Sequence, residues 1–160
     1  MAPSRLGMIM MTSSPDQTRS LGRRLGRFLR GGDVLCLYGD LGSGKTTLTQ
    51  GLAEGLGFKG RVTSPTFGLA RIYHGRRWSI NHLDLYRIEP EQTGDIGIED
   101  FVRDPKAVCV VEWPEAGRGY YPGDRLELRL SHAKGGRARR IRATALGPRS
   151  RDLLVNLRAG

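Results

Sequence analysis

The sequence has 160 residues, 38% of them hydrophobic and 26% charged, which is the length of one domain and a globular rather than a disordered composition. No apolar run approaches the roughly 20 residues of a membrane span. The run at residues 6–11 is also too short for the core of a signal peptide. We therefore expect a cytosolic protein, with residues 1–160 forming a single domain and no membrane partner.

The net charge of +10 lies mostly in the C-terminal quarter, because residues 118–160 alone carry a net charge of +8. An excess of that size fits an anionic partner such as RNA or an acidic protein surface. A solvated arginine-rich face would have the same composition, so charge by itself leaves both interpretations open.

The first part of the chain predicts a strand, a helix and a second strand. Residues 6–11 are apolar over a length that suits a strand. Ser14 can cap a helix and Pro15 suits its first position, and apolar residues at helical spacing continue as far as Leu29. Residues 34–38 are continuously apolar, which favours a strand buried on both faces of a parallel sheet.

The remaining elements alternate between the two types and together indicate an α/β fold with a partly parallel central sheet flanked by helices. Cys36 and Cys109 lie inside apolar runs, so we expect small buried side chains rather than a metal site or a disulfide. The patterns predict helices at 45–56, 98–102 and 151–157, and strands at 67–73, 78–85, 107–111, 126–130 and 139–145.

A glycine-rich turn at residues 39–46 indicates the chemistry. It reads Gly-Asp-Leu-Gly-Ser-Gly-Lys-Thr, which is the complete phosphate-binding loop (P-loop) pattern, and it lies between a buried strand and a helix. Its glycines permit positive φ, so backbone N–H groups there and at the helix start can face a phosphate. Lys45 would place its ammonium between the β- and γ-phosphates, and the Thr46 hydroxyl would bind Mg²⁺. We therefore predict a P-loop nucleotide-binding fold in which ATP is bound by Asp40, Leu41, Gly42, Ser43, Gly44, Lys45, Thr46 and Thr47.

A P-loop also needs a carboxylate at the end of a neighbouring strand, to hold or orient hydrated Mg²⁺. Glu112 ends the strand at 107–111 and is preferred, because that strand is more apolar and therefore more central. Asp84 follows a second predicted strand. It could orient the attacking water, or simply pair with Arg87.

Two further segments could reach the nucleotide. Residues 63–66, Thr-Ser-Pro-Thr, lie where P-loop proteins often carry a loop that senses the γ-phosphate, although a proline turn with capping hydroxyls would have the same sequence. An arginine cluster at residues 137–140 follows two glycines. One of its arginines could contact phosphate, or the cluster could bind a nucleic-acid backbone or only water. Trp113 is expected in the core rather than against a base.

Five segments together resemble the TsaE family, the ATPases of tRNA threonylcarbamoyladenosine biosynthesis. The P-loop alone is unspecific, whereas the order and spacing of all five are highly specific, and the resemblance runs from about Asp16 to Arg140. The segments are 39–47 (Gly-Asp-Leu-Gly-Ser-Gly-Lys-Thr-Thr), 63–67 (Thr-Ser-Pro-Thr-Phe), 82–87 (His-Leu-Asp-Leu-Tyr-Arg), 97–101 (Gly-Ile-Glu-Asp-Phe) and 111–114 (Val-Glu-Trp-Pro).

The resemblance implies a Mg²⁺-dependent ATPase that is weak alone and works with the proteins TsaB and TsaD. That assembly attaches threonylcarbamoyl to adenosine 37 of tRNAs that read codons beginning with A, and tRNA is met indirectly or through the complex. ATP hydrolysis is implied to reset the assembly rather than to transfer the group. Carried over by position, the resemblance makes Thr46 and Glu112 Mg²⁺ ligands, Lys45, Asp84 and Glu112 catalytic residues, 64–66 a switch-like loop, and Thr66 and Arg137 nucleotide contacts.

Three other functions stay open from the residues themselves. A small-molecule kinase could use Asp84 as its base, but it would need an acceptor pocket and a mobile lid. A regulatory GTPase usually carries an Asn-Lys-x-Asp motif, and neither Asn81 nor Asn156 begins one. A basic RNA-binding module with a vestigial P-loop would bind tRNA with a steep salt dependence and would not hydrolyse nucleotide.

Overall fold

A single mixed sheet organises the chain. The computed structural model describes residues 5–65 and 69–160. Within these residues the strands of the sheet are β1 (Leu6–Thr12), β2 (Val34–Tyr38), β3 (Ala70–His74), β4 (Ser79–Asp84), β5 (Ala107–Glu112), β6 (Leu126–His132) and β7 (Arg139–Ala145). Their order is β1-β7-β6-β2-β5-β4-β3. The strands from β6 to β4 pair in parallel, whereas β7, β1 and β3 join antiparallel at the two sides. The predicted α/β fold with a partly parallel sheet is confirmed.

The central strands are buried, as their continuous apolar sequences predict. Every residue of β2 and of β5 is buried. Because β2, β5 and β4 run parallel, their carboxyl ends at Tyr38, Glu112 and Asp84 meet at one edge of the sheet. The glycine-rich turn follows β2 at this edge, so the topology brings the two predicted carboxylates to the P-loop.

Helices cover the two faces of the sheet unequally. Leucines of α1 (Pro15–Gly26), α2 (Lys45–Gly55) and α5 (Pro148–Ala159) share one apolar cluster with β2, β4, β5, β6 and β7. The cluster on the other face joins β2, β4 and β5 to α4 (Ile98–Val102), to the segment around α3 (Thr93–Ile96), and to the 3-10 helix Pro114–Tyr120. No strand residue of β1, β6 or β7 belongs to that second cluster, as far as residues 5–65 and 69–160 show.

Four glycines allow α1 and α2 to approach backbone to backbone. A Cβ at Gly51 would lie 2.1 Å from the Arg19 carbonyl oxygen, and one at Gly22 would lie 2.5 Å from the Leu48 carbonyl oxygen. Gly26 and Gly55 repeat this contact one turn further along both helices. Because α2 begins at the P-loop lysine, this close contact fixes the helix on which the predicted phosphate site is built.

Several element boundaries differ from the sequence predictions for local reasons. Helix α1 ends at Gly26 rather than near Leu29, although Leu29 still reaches the core through a following turn. Helix α5 begins at Pro148 rather than at 151, because proline suits the first helical turn. The predicted strand 67–73 begins outside the described residues and is seen as β3. The 3-10 helices Pro90–Gln92 and Pro114–Tyr120, and α3, are not predicted by the sequence.

Two sequence predictions concern burial and membranes. Cys36 and Cys109 are buried and unbridged, and burial raises the pKa of the Cys36 thiol to about 12, so both behave as the predicted small core residues. Among the helices in the described part of the chain, none has the length and apolar character that crossing a bilayer requires.

Candidate active site

The P-loop backbone has the conformation that an anion cradle needs. Gly42 and Gly44 have φ of 78° and 103°, in the left-handed region that favours glycine. Gly39 also has positive φ, and a Cβ there would meet the Ser43 Oγ at 2.5 Å. Ser43 itself is buried, and among the described residues its Oγ has no hydrogen-bond partner. The turn is therefore held by backbone geometry and tight packing, with α2 beginning directly after Gly44.

A cavity of about 810 Å³ opens over this turn. Its volume lies in the range of small-molecule and cofactor pockets. The side chains of Asp40 and Ser43 are not part of its wall, and Thr66 lies outside the described residues. The predicted site residues that line the cavity are Leu41, Gly42, Gly44, Lys45, Thr46, Thr47, Asp84, Glu112 and Arg137.

Lys45 is the buried cation of the cavity. Its Nζ donates to the backbone carbonyls of Gly39, at 2.5 Å, and Asp40, at 3.0 Å, and it lies 4.2 Å from the centre of the Trp113 ring. Burial lowers the pKa of the Lys45 ammonium from its usual 10.5, while nearby carboxylates, Glu112 foremost, oppose that shift. The ammonium is thus held on the loop by weak neutral acceptors, which an anionic ligand can replace.

Glu112 is a buried carboxylate whose two oxygens have different partners. The Thr46 hydroxyl donates to its Oε1 at 3.1 Å, and the Nε2 of His82 lies 2.5 Å from its Oε2. Glu112 is 2% exposed and His82 is fully buried. Burial of a carboxylate destabilises the folded state unless the carboxylate is paired and hydrogen-bonded. The contacts with Thr46 and His82 provide that pairing.

His82 was missed by the sequence analysis, and it extends the polar network away from the cavity. Its Nδ1 lies 3.5 Å from the Tyr73 hydroxyl, which in turn donates to the Thr63 carbonyl at 2.9 Å. The network thus runs from Glu112 to the segment that contains Ser64. The sequence signal for His82 was its place two residues before Asp84 on the same strand, on the alternate set of residues that faces one side of the sheet.

Asp84 is held by the same segment. The Ser64 hydroxyl donates to its Oδ2 at 2.7 Å, and the Tyr86 backbone N–H donates to its Oδ1 at 2.9 Å. Within the described residues no ion pair joins Asp84 to Arg87, whose guanidinium instead lies 5.1 Å from the centre of the Tyr86 ring. The predicted alternative of a simple Asp84–Arg87 pair is therefore wrong.

Two arginines from the β6–β7 hairpin reach the P-loop in different ways. Arg137, the arginine favoured by the resemblance, lines the cavity. Arg139, which the sequence analysis did not single out, donates to the carbonyls of Ser43 and Gly42, both at 3.1 Å. Strand alternation could have found it, because residue 139 shares its side of β7 with the buried Ile141.

Trp113 belongs to the cavity rather than to the core. It has positive φ, is half-buried, and packs on Tyr86 with 4.8 Å between ring centres. It also lies beside the Lys45 ammonium and lines the cavity wall. The expectation of core packing is therefore wrong. The positive φ that follows the end of β5 turns the side chain out of the strand direction and toward the P-loop.

The oxygen atoms of Thr46 and Glu112 fit a hard divalent cation. A hydroxyl and a carboxylate are donors that Mg²⁺ accepts together with phosphate oxygens and water. Among the described residues no group of three or more His, Cys, Asp or Glu side chains forms a metal cluster. The donor set therefore suits an ion that a bound phosphate helps to hold, rather than an ion caged by the protein alone.

Comparisons with known proteins agree with one another. The family model described as "Threonylcarbamoyl adenosine biosynthesis protein TsaE" matches residues 12–141. A protein of Streptomyces coelicolor named "tRNA threonylcarbamoyladenosine biosynthesis protein TsaE" is 43% identical over 149 residues, which cover 89% of this chain and 99% of that one. The protein of the same name from Bacillus subtilis is 39% identical over 146 residues, covering 91% and 90%.

A solved structure supports the same relationship. The crystal structure of Bacillus subtilis YdiB superposes with a TM-score of 0.84 at 32% sequence identity, covering 98% of this chain and 97% of that one. The matched family region contains the P-loop, Asp84, Glu112 and the β6–β7 hairpin. The matched family region therefore contains every residue that lines the cavity described above.

Proposed function

The chain belongs to the TsaE family of tRNA threonylcarbamoyladenosine biosynthesis, and on this premise we propose that it is the Mg²⁺-dependent ATPase of that process. The observation that carries the proposal is the cavity over the P-loop, with Lys45 in its wall and the Thr46 hydroxyl 3.1 Å from the Glu112 carboxylate. A phosphate chain, a cation and two oxygen ligands have complementary charge in such a site.

The P-loop supplies the recognition of phosphate. Positive φ at Gly42 and Gly44 lets successive N–H groups face inward, and the first turn of α2 adds unsatisfied N–H groups and the positive end of its dipole. In this proposal Lys45 exchanges its carbonyl acceptors for phosphate oxygens. Arg139 holds the outer carbonyls of the loop, which favours N–H groups that point toward the ligand. Arg137, which also lines the cavity, is proposed as a further phosphate contact.

The two carboxylates of the cavity, Glu112 and Asp84, are proposed to have different roles. Thr46 and Glu112 are proposed to hold Mg²⁺, which when bound neutralises charge on the phosphate oxygens and orients them. Asp84 is proposed to orient the attacking water, because its two oxygens are already fixed by Ser64 and Tyr86. Water then adds to the γ-phosphorus while the bond to the β–γ bridging oxygen breaks. ADP leaves with that oxygen, inorganic phosphate leaves with the water oxygen, and the proton that water loses passes by way of the Asp84 carboxylate to solvent.

The wider role proposed here follows from the family. Hydrolysis is weak in the isolated chain and resets an assembly of TsaB and TsaD between turnovers, and the threonylcarbamoyl group is transferred to tRNA by that assembly. A second cavity, of about 500 Å³, lies beside β1 and shares no lining residue with the cavity over the P-loop, so an acceptor bound there would not face the phosphates. That favours a reset role over phosphoryl transfer to a metabolite.

Reconstitution tests the proposal directly. TsaB and TsaD would be incubated with tRNA and the other substrates, with and without this chain, and modified tRNA would be counted per assembly. We expect about one product per assembly without the chain and many with it. Glu112→Gln should behave like omission of the chain, because it removes the charge that Thr46 and His82 surround.

The matched control is Glu115→Gln, since Glu115 is an exposed carboxylate three residues away. It should leave multiple turnover intact. Undiminished turnover without the chain would refute the reset role. ATP hydrolysis that survives Glu112→Gln would refute the assignment of that carboxylate. A labelled small-molecule phosphate product would instead favour the kinase alternative.

A further inference from the structure

Strands β1, β7 and β6 expose an arginine-rich surface on the side of the sheet opposite α1, α2 and α5. Alternate residues of these strands point away from the helices, and most of them are exposed, whereas Glu127 and Thr144 are half-buried. We call this surface the arginine face, and it consists of Ile9, Met11, Arg129, Ser131, Arg140 and Arg142.

The pairing register brings like charges together on this face. Arg129 lies directly opposite Arg142 across the antiparallel β6–β7 ladder. Such a pair is unfavourable in an isolated sheet. Within the described residues, neither Arg140 nor Arg142 is in an ion pair, and the closest carboxylate to Arg129 is Glu127 at 4.0 Å. Glu127 itself is held at 2.9 Å by Arg125. The face therefore presents an excess of positive charge that an anionic surface would relieve.

The same face also exposes apolar surface, next to the arginines. Ile9 is 51% exposed and lies opposite Arg142, and Met11 is 59% exposed and lies opposite Arg140. Around the edge of β1 the apolar surface continues into a groove of about 500 Å³, lined in part by Met8 and Met10. Methionine adapts its shape to a partner and is common at binding surfaces.

The composition favours a protein over RNA. Arginine and methionine are enriched at protein interfaces, whereas burial of Ile9 and Met11 would gain nothing from a phosphate backbone. Tyr38, the aromatic ring nearest in register, is 5% exposed and covered by Arg129, whose guanidinium lies 4.1 Å from its centre. Single-stranded RNA is held largely by stacking on open aromatic rings, which the arginine face does not offer.

We propose that the arginine face docks a protein partner whose contact surface carries carboxylates around an apolar centre. The face lies on the side of the sheet opposite α2, the helix that begins at Lys45. The choice of TsaB–TsaD as the probe below rests on the proposed function.

Charge reversal on the face tests the proposal. Binding of the TsaB–TsaD assembly to the full chain would be measured by biolayer interferometry in the presence of ATP. Arg142→Glu should weaken binding by about tenfold or more, because it turns attraction into repulsion. Ile9→Thr keeps a β-branched strand former but removes apolar surface, and it should weaken binding by about threefold.

Arg27→Glu is the matched control. Arg27 is an exposed arginine at the end of α1, and its replacement by glutamate changes the net charge by as much as Arg142→Glu does. The affinity of this variant for the TsaB–TsaD assembly should stay within about twofold of the wild type, because salt screens a charge that lies far from the contact surface. ATP affinity and the melting temperature of each variant verify that the fold is intact. A parallel arm measures the affinity of the same variants for unmodified tRNA alone by fluorescence anisotropy.

The outcomes separate the two proposals. Equal binding of Arg142→Glu and wild type, or an equal loss with Arg27→Glu, overturns the arginine face as a docking surface. A loss that appears only in the tRNA arm shows that the occupant is RNA and also overturns it. A wild-type chain that does not bind TsaB–TsaD at all overturns the partner assigned under the proposed function, and the docking proposal falls with it.

Discussion

The molecule carries two polar regions that differ in how their charges are treated. Beneath α2, the network from Glu112 through His82 to Tyr73 is buried, and each of these groups has a hydrogen-bonding neighbour. On the opposite side of the sheet, Arg140 and Arg142 of the arginine face are exposed and are in no ion pair among the described residues. Buried charge is tolerated only with partners, whereas exposed arginine is hydrated at little cost.

This difference separates chemistry from recognition. A carboxylate that must bind a cation in one geometry benefits from neighbours that hold it in place. A surface that must meet another macromolecule benefits from charges that are still free to pair. Substitutions in the buried region should therefore impair nucleotide chemistry or folding, and substitutions on the arginine face should impair association alone.

The largest expected effect is at Lys45, which provides the positive charge of the cavity beside the buried network. Lys45→Ala should weaken ATP binding by about 1,000-fold, because the cavity loses the cation that balances the phosphates. Isothermal titration calorimetry measures this directly. Lys59→Ala, at an exposed lysine, should bind ATP as the wild type does. A Lys45→Ala affinity within about fivefold of the wild type would contradict the assignment of the site.

The next effect concerns the helix that covers the buried region. Gly51→Ala places a Cβ where the Arg19 carbonyl lies 2.1 Å away, so α1 and α2 must move apart. We expect a loss of about 2 kcal/mol in the free energy of unfolding, measured by urea titration, even though alanine favours helix. Gly119→Ala is the control, because no atom lies within 4 Å of its added Cβ. Equal stability of both variants would show that the helix contact is not tight.

The smallest expected effect concerns the contact between His82 and Glu112 in the buried network. His82→Leu should lower the Mn²⁺ affinity of the ADP complex by about tenfold, measured by electron paramagnetic resonance, because Glu112 loses the neighbour that holds its Oε2. His82→Gln can keep an N–H near that oxygen and should recover part of the loss. Tyr73→Phe should lower the Mn²⁺ affinity by about twofold to threefold, since it removes only the hydroxyl that bridges His82 to the Thr63 carbonyl.

Tyr120→Phe, at a half-buried tyrosine of the 3-10 helix Pro114–Tyr120, is the control for the tyrosine substitution and should leave Mn²⁺ affinity unchanged. If His82→Leu binds Mn²⁺ as the wild type does, the histidine fills space and does not position the carboxylate. If His82→Gln is as impaired as His82→Leu, packing rather than hydrogen bonding is what Glu112 requires.

Local patterns predicted most of the strands and the main helices. The apolar run of β2 and the P-loop after it have their expected conformation, and α2 begins at Lys45. Residues 66–68 lie outside the described part of the chain, so the assignment of Thr66 stays a prediction. The short helix α4 was predicted at its observed position, whereas α3 and the two 3-10 helices were missed because segments of three to seven residues carry too little periodicity to stand out.

The site was predicted unevenly for a similar reason. Glu112 and Asp84 were expected beside the P-loop because each comes at the end of a predicted strand, and both line the cavity. Arg139 was expected only as one member of the arginine cluster, and the resemblance favoured Arg137, since the direction of an arginine at a loop-to-strand junction depends on where strand alternation begins. Trp113 was assigned to the core because nothing in the sequence around it predicts a positive φ.

The sequence by itself determined the P-loop, the buried strands beside it and the concentration of arginine in the last quarter of the chain, because these depend on neighbours along the chain. Only the tertiary structure decided which side chains meet. The parallel register of β4 and β5 brings Asp84 level with Glu112, and the antiparallel register of β6 and β7 places Arg129 opposite Arg142. Register is set by the packing of whole strands and helices, so contacts between distant residues are not encoded in any one segment.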